Sequence, residues 1–125
     1  MKFIHQVEEK NEDAEELYRT KAKILKEKYD IDVSYLPKWA GGDIEYFLGK
    51  RGFCFGKGSF DIKDFLKANK FRFYPEQKMW CRVYKSEEEA KGAFNALKSY
   101  LKFKYGYRFI PFVALSWGQV PDVVR

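Results

Sequence analysis

Apolar side chains recur at Ala14, Leu17, Tyr18, Ile24, Leu25 and Tyr29. Gaps of three, four and seven residues place them on one helical face, which predicts a helix over residues 12 to 29 with a Glu/Lys-rich solvated face. The acidic stretch NEDAEE suits the positive end of its dipole. Before it, KFIHQV (residues 2 to 7) reads as a short strand or an ordered arm. After it, DIDVSYLPKWAGG (30 to 42) reads as a loop, broken by Pro37 and the Gly41–Gly42 pair.

Two hairpins follow. DIEYFL (43 to 48) and GFCFG (52 to 56) flank a tip at Lys50 and Arg51. Pairing Leu48 with Phe53 sets Tyr46 opposite Phe55. Asp61 is the expected cap of a short helix, IKDFLKA, that ends at Asn69. FRFY and MWCRVY then flank the turn PEQK, with Tyr74 opposite Met79 and Phe73 opposite Trp80. One face of this hairpin carries Arg72, Tyr74, Met79, Cys81 and Val83. The other carries Phe71, Phe73, Trp80, Arg82 and Tyr84.

Ser86 and Glu89 form a capping box, Ala90, Phe94, Leu97 and Leu101 form a buried stripe, and Gly106 stops the helix. Residues 107 to 116 read as a last strand, which Pro111 assigns to an edge or a bulge. The tail GQVPDVVR is expected either to fray or to dock on a neighbouring subunit, so a homodimer is an open option. These elements define an α+β fold. Its two β-hairpins form an antiparallel sheet packed against a long N-terminal helix and a second long helix, with a short helix between the hairpins. The length, 125 residues, suits a single domain spanning residues 1 to 125.

Composition sharpens the functional question. Twenty-four residues are Phe, Trp or Tyr and the formal charge is +6. Between Lys50 and Arg82 stand nine Lys or Arg against Asp61, Asp64 and Glu76, so the positive charge is regional. A basic, aromatic-rich stretch points to a polyanionic partner, nucleic acid before an anionic membrane. Thr and His each occur once while Lys and Glu abound, a bias that resembles hyperthermophile proteins. No apolar run is long enough for a bilayer and no signal-peptide core is present, so a cytoplasmic protein with no membrane partner is expected. Cys54 and Cys81 show no zinc-ligand spacing and read as buried free thiols, so no metal or other cofactor is expected.

GKRGFCFGKGSF (49 to 60) sets four glycines, three cations and three phenylalanines side by side. It is not a Walker A loop. Gly52 and Gly56 enclose three residues rather than four, and Gly58 stands where Ser or Thr would hold magnesium. As a strand it points Phe53 and Phe55 to one face, either as a platform for bases or into the core with Cys54 outward. Catalysis is not expected. His5 is alone beside Ile4, and Glu8, Glu9, Glu12, Glu15 and Glu16 are explained by a helix start.

RGFCF (51 to 55) resembles the start of the RNP1 motif of RNA-recognition motif domains through Arg51, Gly52, Phe53 and Phe55. Gly56 and Gly58 depart from its aliphatic and aromatic positions. FDIKDFLKANKFRFYPEQKMW (60 to 80) is similar in pattern to two groups. One is the HARP domain of annealing helicases. The other is the ThermoDBP-related single-stranded DNA-binding proteins of hyperthermophilic archaea. Each resemblance implies nucleic-acid binding, and the last implies an archaeal thermophile as source.

The expected function is therefore non-enzymatic binding of single-stranded nucleic acid, DNA favoured over RNA, with little sequence preference. Lys50, Arg51, Lys57, Arg72 and Arg82 would contact phosphates, while Trp39, Phe53, Phe55, Phe73 and Trp80 would stack bases. The alternatives are a protein-interaction module, such as a regulatory or virus-encoded inhibitor subunit, and an RRM-like RNA binder.

Overall fold

Alternation of apolar and polar residues in the central third of the chain closes a five-stranded mixed sheet. The computed structural model describes residues 2–39, 41–112 and 117–125, with side chains described from Asp13 onward except Trp117. Helix α1 (Lys2–Tyr29) leads through a 3₁₀ turn (Val33–Tyr35) to β1 (Asp43–Leu48) and β2 (Gly52–Phe55). Helix α2 (Lys63–Ala68), β3 (Arg72–Tyr74), β4 (Met79–Val83), α3 (Glu87–Tyr105) and β5 (Arg108–Pro111) follow. The strand order is β3-β4-β2-β1-β5. Neighbours are antiparallel except β1 and β5, which run parallel.

The α+β class, both hairpins and their registers match the sequence expectation. Leu48 opposes Phe53, Tyr46 opposes Phe55, and Tyr74 and Phe73 oppose Met79 and Trp80. Ser86 caps α3 as expected, with the Glu89 N–H donating to Ser86 Oγ at 3.1 Å, and Gly106 closes α3 in the left-handed region at φ 75°. Pro111 ends β5 on the sheet's edge, where its missing N–H disturbs no ladder. Residues 113 to 116 of the expected last strand lie outside the described residues.

Three expectations are corrected. KFIHQV is neither strand nor arm, since α1 starts at Lys2 and runs for 28 residues. Asp61 does not cap α2. A 3₁₀ turn (Ser59–Ile62) runs straight into that helix, which has no side-chain cap, although Asn69 does close it. The tail neither frays nor leaves the molecule. Val120 and Val124 are buried against Cys54, Met79 and Cys81, and the Arg51 N–H donates to the Val124 carbonyl at 3.3 Å. These two valines, spaced four apart, cover the sulfur-bearing face of the sheet together with Phe47, Tyr74, Phe112 and Val123.

The sheet is thus covered on both sides. Helix α3 lies across β1, β2 and β5, and α1 packs along α3. Phe53, Phe55, Phe65, Phe71, Phe94 and Leu97 form the main core with Leu25 and Ile31. Phe53 lies at its centre, with ring centroids 5.2 to 5.6 Å from Phe94, Phe55, Phe71 and Tyr84. Each such pair adds about 0.5–1.5 kcal/mol beyond area burial. Among the described residues no helix is long and apolar enough to cross a membrane.

Candidate nucleic-acid interface

The ten residues expected to bind nucleic acid separate into four groups. Phe53 and Phe55 are fully buried, at 0% exposure, and present no face to a base. The period-2 pattern put them on one side correctly. It could not show that β2 is the middle strand, roofed by α3. Gly52 has an internal reason as well. A Cβ there would collide with the Arg82 carbonyl on β4, so the glycine permits close strand approach rather than access for a sugar-phosphate chain.

Arg82 is also internal. Its Nη2 donates to the Tyr29 carbonyl at 3.0 Å, and its Nη1 donates to those of Asn69 at 3.0 Å and Asp30 at 3.3 Å. The guanidinium lies 5.1 Å from the Tyr84 ring. It satisfies the carbonyls that end α1 and α2, where a helix leaves acceptors without partners and favours a cation. Buried and held by these carbonyls, the guanidinium is not presented to a phosphate at the surface.

The third group is spread over the remaining surface. Lys50 and Arg51 are exposed at the β1–β2 tip, the end of the sheet beside Val83 and Tyr84. Lys50 shares a cavity of about 540 Å³ with Phe47, Leu48, Lys91, Glu87 and Arg125. Trp39 is 52% exposed on the loop before β1. Two residues later the Gly41 N–H donates to Tyr105 at the end of α3, which draws Trp39 toward the β5 flank, away from β3.

In the fourth group two rings do come together. Phe73 on the edge strand β3 and Trp80 on β4 are register partners, with ring centroids 5.0 Å apart and planes at 50°. Phe73 is 43% exposed and Trp80 half-buried. Because β3 has no outer neighbour, the Phe73 ring has an open side. Arg72 is exposed on the opposite face of β3, its guanidinium 5.9 Å from the Tyr74 ring. At the turn end, Lys57 and Lys78 line a cleft of about 610 Å³ together with Glu45, Glu76 and Met79.

Sequence reading missed Phe60, the most exposed large apolar side chain among the described residues at 71%. The Lys63 ammonium lies 4.1 Å from its ring centre. The signal was present: Phe60 falls in a turn after Gly58 and stands three residues before a lysine, one helical step away. Lys78 was missed as well. It holds φ at 57°, a left-handed conformation that aims the turn's cation outward.

Asp30 bonds Lys70 at 2.6 Å, and Asp43 takes a two-pronged contact from Arg108 at 2.7 and 2.9 Å. The Lys70 contact holds the Asp30 carboxyl below its usual range, and the Ser34 hydrogen bond does the same for Asp32. Among the described residues no group of three or more His, Cys, Asp or Glu side chains is placed to hold a metal. No protein-family model, no curated protein and no solved structure matches this chain.

Proposed function

We propose that this protein binds single-stranded nucleic acid through the β3–β4 hairpin, without catalysis, and DNA in preference to RNA. The observation that carries the reading is the Phe73–Trp80 pair, with the Phe73 ring 43% exposed on an edge strand whose other face carries the exposed Arg72. Such rings stack bases of any sequence, at about 1–3 kcal/mol per base, while a guanidinium on the same edge strand holds phosphate. Lys57 and Lys78 supply cations past the turn, in a cleft shared with Glu45 and Glu76, and the formal charge of +6 favours a polyanion over a neutral partner. The pattern similarity of residues 60 to 80 to archaeal single-stranded DNA-binding proteins points the same way.

The contact set is smaller than the sequence suggested. With Phe53, Phe55 and Arg82 committed to the interior, the footprint reduces to Arg72, Phe73, Trp80 and Lys57, with Lys78 added. Short oligonucleotides of a few bases should saturate it. Fluorescence anisotropy with labelled single-stranded DNA, single-stranded RNA and duplex, each across a salt series, tests this. The expected outcome is a log–log salt slope of about −0.7 per phosphate contact and weakening by Phe73→Ala. Binding that ignores salt, or that survives the combined Arg72→Ala and Phe73→Ala change, would refute the assignment.

One observation favours a second reading. The β3 edge leaves main-chain donors and acceptors unpaired over three residues, and a partner protein could add a strand there. In that case none of the oligonucleotides would bind, and a proline at position 73 would abolish partner capture.

A further inference from the structure

The far face of the sheet gathers sulfur. Cys54 and Cys81 are direct partners across the β2–β4 ladder, and the Cys54 thiol donates to the Met79 sulfur at 3.6 Å. All three side chains are at most 4% exposed. Around them stand Phe47, Tyr74, Val120 and Val124. Nothing in packing requires three sulfurs here, since aliphatic side chains of the same volume would fill this layer. Both cysteines are free. The contact with Cys54, together with burial, holds the Cys81 thiol protonated above its ordinary range.

Two thiols and a thioether form a soft ligand set, the kind that selects monovalent copper over oxygen-preferring ions. The spacing suits it. Three metal–sulfur bonds of about 2.3 Å at 120° put the sulfurs about 4 Å apart, near the 3.6 Å already present between Cys54 and Met79. Two ligands lie on one strand, Met79 and Cys81, and the third on its neighbour, so the backbone holds them in place. Met79 also lies at the base of the cleft lined by Lys57, Glu76 and Lys78, which supplies an entry path.

We propose that Cys54, Met79 and Cys81 form a binding site for one soft monovalent metal ion, Cu(I) in class. As each sulfur–copper bond forms at a cysteine, its thiol releases a proton to solvent. The Met79 sulfur contributes a lone pair and loses nothing. Copper stays Cu(I), so no oxidant or reductant takes part. Among the described residues, a tetrahedral ion such as zinc finds only two strong ligands and no fourth side chain in this apolar layer.

The test is an anaerobic titration of the full, reduced chain with Cu(I) supplied as its acetonitrile complex, in competition with bathocuproine disulfonate. One copper per chain should be retained, with a new sulfur-to-copper charge-transfer band in the near ultraviolet. Cys81→Ala should lower the affinity about a hundredfold, the share of one strong ligand in a metal site. Met79→Leu conserves volume and should keep the fold while lowering affinity about tenfold. Circular dichroism confirms that this variant is folded. No copper retained by the wild type overturns the site. Retention unchanged in both variants overturns it too, since copper would then be held elsewhere.

Discussion

The Arg82 guanidinium and the Tyr29 carbonyl stand 53 residues apart in sequence and 3.0 Å apart in space. That bond joins the end of α1 to the middle of β4. Two further carbonyls, of Asp30 and Asn69, share the same cation, so one side chain ties α1 and α2 to the sheet. It explains why a guanidinium tolerates burial: its donors are matched to carbonyls that no N–H of their own helices reaches.

Arg82→Met should therefore destabilise the fold by about 3 kcal/mol, because it strands buried acceptors and removes charge-assisted hydrogen bonds. Arg82→Lys should recover only part of this, as an ammonium cannot reproduce the fork. Urea unfolding curves would show it. Loss of oligonucleotide affinity in a fully folded Arg82→Met protein would contradict the internal role.

Two phenylalanines of similar appearance in the sequence should behave oppositely. Phe53→Ala opens a cavity among four rings and should lose about 3–5 kcal/mol of stability. Phe73→Ala removes a ring that is 43% exposed, and should change stability by less than about 1 kcal/mol while weakening single-strand binding by about 1–3 kcal/mol. Parallel melts and anisotropy titrations separate the two effects.

Tyr84 and Tyr107 bury hydroxyls that have no hydrogen-bond partner among the described residues. Replacing either by Phe should stabilise by about 1 kcal/mol, by removing a desolvated donor. Burial raises the phenol pKa of Tyr84, and likewise of Tyr100, Tyr105 and Tyr107. The folded state thus keeps protons that the unfolded state releases above about pH 10. Stability is full below that pH and is lost as pH rises beyond it. Alkaline unfolding monitored by phenolate absorbance should begin at higher pH in Tyr84→Phe.

The acid limb follows from Asp30 and Asp32, both held below the usual carboxylate range, the first by Lys70 and the second by Ser34. Their contribution is present above the unfolded value of about 3.9 and disappears as pH falls through the lower folded values. Carbon-detected NMR titration of the carboxyl groups should show both midpoints depressed. In Lys70→Met the Asp30 midpoint should return toward the ordinary value, and Asp32 should stay put.

Local pattern was legible wherever one neighbour decides a conformation. The Ser86 cap, the Gly106 stop and both hairpin registers rest on contacts a few residues apart, so spacing alone determines them. The tail was not legible, because Val120 and Val124 become core only once a sulfur-bearing sheet face exists for them to cover. The candidate site was half legible. Alternation paired Phe73 with Trp80, and it grouped Phe53 with Phe55, but nothing in a period of two ranks one strand as central and another as edge.

From its amino-acid order alone this chain determines the α+β class, the hairpins and their facing pairs, and a basic, aromatic middle third. The order β3-β4-β2-β1-β5 decided which rings meet solvent. It set β2 under α3 with Phe53 and Phe55 inside, and left β3 at the rim with Phe73 open. The same assembly turned Arg82 from an apparent phosphate ligand into the partner of three helix-end carbonyls. The physical reason is that side-chain direction along a strand is local, whereas burial depends on what the other four strands and three helices bring to each face.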